Sequence, residues 1–203
     1  MSITKIFNRS TLTVGAASLV GVAALLGANP AQASGFTGSY DPSNWDFTNS
    51  NADGFVNTTN APSSISLTGG NNGSGSGGQT SYETTSAGTG LVSFNWNYTT
   101  NDGPFWDPFG FILNGDFTQL SANNGGSPQS NTFSTTVNEG DIFGFAIKTV
   151  DNIVGAASVT VSDFHAPESE PESVPEPASI LGLMTVGALG VGSALKRRKK
   201  QAA

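Results

Sequence analysis

Residues 92–99 read Val-Ser-Phe-Asn-Trp-Asn-Tyr-Thr, and this stretch decides the fold. Large apolar or aromatic side chains occupy every second position, and small or polar side chains lie between them. The side chains of a β-strand point alternately to its two faces, so this period of two places the four large side chains on one face. The stretch therefore predicts a half-buried strand with Trp96 in the core.

Four further stretches repeat this alternation on both sides of residues 92–99. Apolar residues alternate with Ser, Thr, Gly or Ala in residues 64–68, 131–137, 143–148 and 157–162. Asn114-Gly115 separates two more apolar runs, and this pair is typical of a two-residue hairpin turn. Strands with one apolar face must bury that face against another sheet. The pattern predicts an all-β, jelly-roll-like two-sheet sandwich of about eight strands over residues 34–165.

The composition excludes several classes of site and partner. The chain has no cysteine, so a disulfide or a thiolate metal site is impossible. Seven of the eight Lys and Arg lie in the first nine or the last eight residues. Between these ends stand all 15 acids and one base, Lys148, which gives a net charge of 1 − 15 = −14. This charge repels nucleic acid and anionic membrane surfaces, so neither is expected to bind the β domain.

Residues 1–33 have the features of a secretory signal peptide. Lys5 and Arg9 give a positive start, residues 12–26 are uncharged and mostly apolar, and Ala31-Gln32-Ala33 has the small-x-small pattern that signal peptidase accepts. The alternative is an uncleaved membrane anchor, but this site and the polar chain after it favour cleavage. We therefore predict a signal peptidase site at Ala31 and Ala33 and an exported domain.

The C-terminal part contains three segments of different composition. Residues 166–177 are rich in Pro and Glu, which predicts an extended stalk. Residues 178–195 are uncharged and, at about 1.5 Å per residue, form a helix of about 27 Å, enough for a single transmembrane helix. Residues 196–203 begin with five consecutive basic residues, a cluster that stays on the cytoplasmic side. The β domain and the stalk then lie outside the cell, as the signal peptide also indicates.

The sequence Val174-Pro175-Glu176-Pro177, followed by the apolar segment and the basic tail, resembles the PEP-CTERM sorting signal. In that family the signal is read by exosortase, a membrane protease-transpeptidase. The resemblance implies that these four residues are recognition residues and not catalytic ones. It also implies a Gram-negative host that makes exopolysaccharide and biofilm. The protein is then expected in the cell envelope or outside the cell, anchored by its C-terminal helix before processing.

Three stretches of the β domain are also similar to the ectodomains of cyanobacterial members of the PEP-CTERM family. They are Asn44–Phe47, Asp107–Gly115 and Gly140–Phe145. This second resemblance implies no activity, so no functional residue follows from it.

The sequence offers few candidates for catalysis or metal binding, and we predict neither a catalytic residue nor a cofactor. The single histidine, His165, lies where the domain meets the stalk, a poor place for a general base beside an activated serine. Seven aspartates from Asp46 to Asp151 could supply an acid/base pair of the glycosidase kind, but Asp beside Asn or Gly is a common turn former. No spacing matches an EF-hand loop, and a structural calcium ion held by loop aspartates stays an open alternative.

One loop combines aromatic and acidic side chains. Residues 101–108 read Asn-Asp-Gly-Pro-Phe-Trp-Asp-Pro, with Trp106 among turn residues and two carboxylates. An exposed aromatic ring beside hydrogen-bonding groups can stack on a sugar ring, so Trp106, Asp102 and Asp107 are candidate glycan contacts. The other interpretation, which is the favoured one for large aromatic side chains, is that Phe105 and Trp106 fold back and plug the end of the sandwich.

These observations leave three functions open. The first is a non-enzymatic envelope or matrix protein associated with exopolysaccharide or biofilm. The second is a carbohydrate-binding, lectin-like module. The third is a glycan-active enzyme, which only the aspartates support. The expected processing partners are signal peptidase and exosortase, and the C-terminal helix is expected in the membrane.

Overall fold

The computed structural model describes residues 31–169, which form an all-β domain. These residues contain eleven strands and two short 3₁₀ turns at Gly38–Tyr40 and Pro42–Asn44. The strands are β1 Gln32–Ser34, β2 Asp46–Ser50, β3 Phe55–Asn57, β4 Ser64–Thr68, β5 Gly78–Thr85, β6 Gly90–Thr99, β7 Phe109–Leu113, β8 Asp116–Gln119, β9 Gln129–Val137, β10 Ile142–Thr149 and β11 Ser158–Pro167. The predicted signal peptide up to residue 30, the stalk beyond residue 169, the transmembrane helix and the basic tail lie outside the described residues.

The strands form two antiparallel sheets, which confirms the predicted sandwich. Sheet A has the order β3-β4-β11-β6-β9, and β1 also pairs with the end of β11. Sheet B has the order β2-β5-β10-β7-β8. From β4 onward the chain crosses to the other sheet after every strand except β7, a connectivity of the jelly-roll kind. The number of strands is larger than the expected eight, because edge strands such as β1 and β3 are too short to be recognised by alternation.

The strand β6 lies at the centre of the core, as its alternation predicts. Val92, Phe94, Trp96 and Tyr98 are 0–5% exposed. The Phe94 ring meets the Phe145 ring of the opposite sheet edge-to-face, with centroids 4.9 Å apart. Because β6 pairs with both β11 and β9, its inward positions are covered on every side.

The turn between β7 and β8 has the predicted geometry. Asn114 and Gly115 have φ values of +51° and +87°, both in the left-handed region. A two-residue hairpin requires positive φ at both central positions, and Asn and Gly adopt it at the least cost. The hairpin cue in the sequence is therefore confirmed.

An aromatic cluster near the start of the domain closes the sandwich beside β1. Trp45 is 7% exposed and stacks between Tyr82 and Phe145, at centroid distances of 4.9 Å and 5.4 Å. Its indole Nε1 donates to the Tyr40 carbonyl at 3.0 Å. Trp45 is thus a core residue with its polar atom satisfied, and it offers no face to a ligand.

The domain has two poles that lie at opposite ends of β11. At the terminal pole, residues 31–34 run beside residues 165–168, with Gln32 opposite Pro167 and the Glu168 amide donating to the Ala31 carbonyl at 2.8 Å. The loop pole contains residues 100–108 and 150–157, which adjoin the start of β11 at Ser158. The ten residues of β11 separate the two poles by about 30 Å, at about 3.3 Å per residue.

Candidate functional site

The loop of residues 100–108 is held in place by a compact set of hydrogen bonds. The Thr100 Oγ1 accepts from the amides of Asp102 and Gly103 at 3.2 Å and 3.4 Å. The Gly103 carbonyl accepts from the Trp106 amide at 3.0 Å. The Trp106 carbonyl accepts from the Val150 amide at 2.8 Å, which ties this loop to its neighbour. The position of Trp106 is therefore fixed through its backbone on both sides.

The rings of Phe105 and Trp106 both reach solvent at the loop pole. Phe105 is 54% exposed and Trp106 is 39% exposed. The two rings meet edge-to-face, with centroids 5.2 Å apart and planes at 88°. Both rings therefore keep part of their surface open to solvent at this end of the sandwich, while the larger part of Trp106 is covered by the domain.

The neighbouring loop adds three exposed aliphatic side chains that the sequence analysis did not single out. Val150, Ile153 and Val154 are 44%, 42% and 74% exposed. Val154 also has a φ of +74°, which is strained for a β-branched residue. Such strain persists only where the surroundings enforce it, and it occurs most often at binding sites. No periodic pattern marks residues 150–154, so only the fold reveals their position beside Trp106.

Asp107 lies beneath the loop and not on its surface. Its side chain is only 1% exposed, and the Thr100 hydroxyl donates to its Oδ2 at 3.2 Å. Its carbonyl accepts from the Tyr98 hydroxyl at 2.7 Å. Burial raises the pKa of Asp107 to about 6, and the negative charges of Asp102 and Asp151 contribute in the same direction. The geometry gives Asp107 a supporting position under the aromatic pair.

Asp102 is partly buried at the edge of the same loop. Its Oδ2 atom is buried and accepts no hydrogen bond from the described residues. Burial, with a smaller contribution from Asp151, raises the pKa of Asp102. The unpaired oxygen of Asp102 therefore faces the interior of the loop, and its carboxylate is a weaker candidate for a glycan contact than the exposed rings.

Several other acidic residues have structural roles. The Asp141 carboxylate accepts from the Asn138 amide at 2.7 Å and from the Asn114 Nδ2 at 3.0 Å, and these bonds lower its pKa. Asp151 Oδ1 accepts from the Ile153 amide at 3.2 Å. Both are turn formers, as the sequence analysis favoured. Residues 31–169 contain no group of three or more His, Asp and Glu side chains arranged to hold a metal ion.

The residues that the sequence assigns to processing lie at or beyond the terminal pole. Ala33 is 6% exposed and pairs with Ala166, so the predicted signal peptidase site coincides with β1. The sorting residues Val174, Pro175, Glu176 and Pro177 lie outside the described residues. Within residues 31–169 no helix combines the length and apolar character that membrane crossing requires.

Comparison with known proteins identifies one sequence motif and several distant structures. Residues 173–199 match the model of the PEP-CTERM protein-sorting motif. A search of curated proteins found no relative. A family 35 carbohydrate binding module from Clostridium thermocellum has 13% identity and a TM-score of 0.35, over 68% of this chain and 99% of that chain.

Two further solved structures are similar at the same low level. The module CBM6cm-2 from Cellvibrio mixtus lichenase 5A, in complex with cellotriose, has 13% identity and a TM-score of 0.31, over 57% of this chain and 88% of that chain. The N-terminal cellulose-binding domain of Cellulomonas fimi β-1,4-glucanase C has 14% identity and a TM-score of 0.30, over 59% and 90%. Likenesses this low assign no ligand to this chain.

Proposed function

We propose that this chain, which carries the sorting motif and is therefore a PEP-CTERM protein, is an envelope protein that binds polysaccharide and catalyses no reaction on it. The motif indicates an exported protein that is anchored in the membrane before exosortase processes it. The observation that carries the proposal for the β domain is the exposed Phe105–Trp106 pair at the loop pole.

The direction in which the domain presents this pair supports the proposal. After cleavage at the predicted site the chain begins at Ser34, which pairs with His165 of β11, and it also leaves the domain at this terminal pole. The sorting motif begins only a few residues beyond that pole, at residue 173. The aromatic pair lies at the other end of β11, about 30 Å away. A domain attached through its terminal pole therefore presents Trp106 away from the membrane.

The chemistry of the loop pole suits a sugar ring. Indole is flat and amphipathic, so it can pack against the C–H face of a pyranose while its N–H reaches water or a hydroxyl. Phe105 extends the apolar surface at Trp106, and exposed Val150, whose amide donates to the Trp106 carbonyl, follows on the neighbouring loop; exposed apolar patches mark interaction sites. Asp102, in the same loop, is only partly buried, although its Oδ2 atom is covered by the domain.

The charge of the domain limits the kind of polysaccharide. Residues 31–169 contain twelve acids and one Lys or Arg, a net charge of 1 − 12 = −11. The one base, Lys148, places its Nζ 4.2 Å from the centroid of the Phe117 ring on sheet B. A uronate or sulfated chain would meet the carboxylates of Asp102 and Asp151 at the loop pole and the net negative charge of the whole domain. The proposed ligand is a polysaccharide without acidic groups.

The positions of the carboxylates support a binding role over catalysis. A glycosidase needs two carboxyl groups facing each other across an accessible cleft. Asp107 is buried under the loop, and Asp141 and Asp151 bind turn amides. His165 lies in β11 toward the terminal pole, away from the aromatic pair.

Retention on polysaccharide tests the binding half of the proposal. The mature exported protein is passed over insoluble cellulose, chitin and exopolysaccharide purified from the producing cells. Trp106→Ala should lose retention on the polysaccharide that holds the wild type. Phe47→Ala is the matched control, because it removes a ring of similar exposure, 45%, from the edge strand β2. Unchanged retention of Trp106→Ala would remove the basis of this site and favour a purely structural matrix role.

Processing tests the sorting half independently. Replacing Pro175, Glu176 and Pro177 by Ala should leave export intact and block C-terminal processing, so that the unprocessed chain accumulates in the membrane fraction. Mass spectrometry of the C-terminus, with and without exosortase, measures this. Normal processing of the triple variant would contradict recognition through these residues.

A further inference from the structure

The outer face of sheet A is polar and almost free of charge. Every outward position within residues 64–68 of β4, 158–162 of β11, 93–99 of β6 and 130–134 of β9 is Ser, Thr or Asn. An ordinary exposed surface contains about a quarter to a third Lys, Arg, Glu and Asp. The rest of this domain is strongly acidic, so these four neighbouring strands form a neutral, hydroxyl-rich surface within it.

One chain of hydrogen bonds crosses this surface between β11, β6 and β9. The Asn95 Nδ2 donates to the Asp163 Oδ2 at 2.6 Å, and the Thr132 hydroxyl donates to the Asn95 Oδ1 at 2.6 Å. Asp163 lies in a β-bulge of β11 and has a φ of +47°. A bulge redirects a side chain, and this one brings the carboxylate of Asp163 over the face toward Asn95. The three side chains are therefore held in one fixed arrangement, the Asp163–Asn95–Thr132 relay.

Two depressions adjoin the relay on opposite sides. The first has a volume of about 260 Å³ and is lined by Ser34, Ser63, Asp163 and His165, among others. The second has a volume of about 390 Å³ and is lined by Asn95, Asn97, Thr132 and Ser162, among others. Ligand pockets have volumes of about 300–1,000 Å³, so the second depression is within this range and the first is slightly below it. Asp163 belongs to the first depression and Asn95 and Thr132 to the second, so the relay joins them.

We propose that this face is a second binding site, distinct from the loop pole, and that it takes a neutral oligosaccharide lying across the Asp163–Asn95–Thr132 relay. Sugar hydroxyls both donate and accept, as do the hydroxyl and amide groups of the face, and the remaining Asp163 oxygen is an acceptor at the centre. One sugar ring lies in each depression.

The chemistry of the face disfavours other occupants. Phosphate or uronate groups need cations, and the one Lys in residues 31–169 lies on sheet B. A protein partner needs an apolar centre to its interface, whereas the exposed large side chains of this sheet, Phe55 and Leu91, lie at its margins. A neutral chain rich in hydroxyl groups remains as the occupant that matches the whole surface.

Titration calorimetry on the mature protein tests this site apart from the loop pole. The probes are cellohexaose and mannohexaose, with hexagalacturonate as their acidic counterpart. All measurements use the Trp106→Ala background, so that a contribution from the aromatic pair is absent. We expect one of the neutral hexamers to bind and hexagalacturonate not to bind.

Two variants change the relay, one by removing its charge and one by removing its hydroxyl group, and one matched variant leaves it intact. Asp163→Asn removes the charge and tolerates the positive φ, and Thr132→Val keeps the shape of an exposed side chain. Each variant should raise the Kd for the neutral hexamer by about fivefold or more, as expected for the loss of a hydrogen bond or of a charged acceptor. Asp116→Asn, which removes the same charge from the β7–β8 hairpin of sheet B, should bind as its background does.

The outcomes separate the two binding sites. Binding in the Trp106→Ala background that both relay variants weaken supports the second site even if the loop pole proves inactive. Absence of binding by both neutral hexamers, unchanged binding in both relay variants, or equal binding of hexagalacturonate would each overturn it. A thermal melt of each variant excludes loss of folding as the cause.

Discussion

Trp96 in β6 and Trp106 in the following loop are tryptophans ten positions apart, and they differ in how much of the side chain is exposed to solvent. Trp96 is 5% exposed, and its strand is paired on both sides. Trp106 is 39% exposed and is held mainly by backbone hydrogen bonds to Gly103 and Val150. The strand uses its aromatic ring for stability, whereas the loop holds its ring in place without burying it. A ring that stability does not require is free to contact a partner.

The largest expected effect is on the strand side of this comparison. Trp96→Ala should lower the free energy of unfolding by about 3–5 kcal/mol, because it removes a buried aromatic side chain and leaves a cavity. Chemical denaturation followed by circular dichroism measures the change. A loss below about 1 kcal/mol would mean that the core around β6 does not depend on this ring.

A smaller effect is expected from the carboxyl group beneath the loop. Burial raises the pKa of Asp107 to about 6, above its unfolded value of about 3.9, so the folded state binds the proton more tightly. Its contribution to stability is therefore fully present below about pH 4 and is lost as the pH rises to about 6, by up to about 3 kcal/mol. The pKa of Asp102 is also raised, so its contribution to stability has the same sign as that of Asp107. The pKa values of Asp41 and Asp141 are lowered, so their contributions to stability are lost only as the pH falls below about 4.

Asp107→Asn isolates this contribution. The amide keeps the shape of the side chain and cannot ionise, so unfolding free energies measured from pH 4 to pH 6 should fall less steeply than in the wild type. A wild-type stability that rises over this range, or a slope that Asp107→Asn leaves unchanged, would contradict the assignment.

The smallest expected effect on stability is on the loop side. Trp106→Ala should cost clearly less than Trp96→Ala, because Trp106 is 39% exposed and Trp96 is 5% exposed. Thermal melting beside Trp96→Ala measures the contrast directly. Equal destabilisation by the two substitutions would show that Trp106 is a packing residue, and the comparison would fail.

The parts of the fold that could be predicted from the sequence are those with a local physical rule. Alternation placed Phe94 and Trp96 inside, and the Asn114-Gly115 pair located the β7–β8 hairpin. Each rule depends on a few neighbouring residues: the two faces of a strand, or the positive φ of a tight turn. The sorting motif could be recognised for a similar reason, because it is a short linear sequence that a processing enzyme recognises.

The candidate site could be predicted only in part, because its members come from separate segments. Trp106 and Asp102 were visible in one loop, but nothing local indicated that Val150 of a second exposed loop would bond to the Trp106 carbonyl. The position of Asp107 likewise depends on hydrogen bonds from the Tyr98 hydroxyl to its carbonyl and from the Thr100 hydroxyl to its side chain. The bulge at Asp163 arises from the pairing of β11 with β6, which alternation within either strand does not specify.

Quenching of tryptophan fluorescence tests the central claim most directly, because the chain has three tryptophans and only one is open to solvent. Trp45 and Trp96 are 7% and 5% exposed, against 39% for Trp106. Acrylamide, which is neutral and is not repelled by the acidic surface, should quench one emitting component of the mature protein, and Trp106→Phe should abolish that component. Saturation with a polysaccharide that retains the protein should protect the component from quenching. Retention of the protein while Trp106 stays fully quenchable would contradict binding at the loop pole.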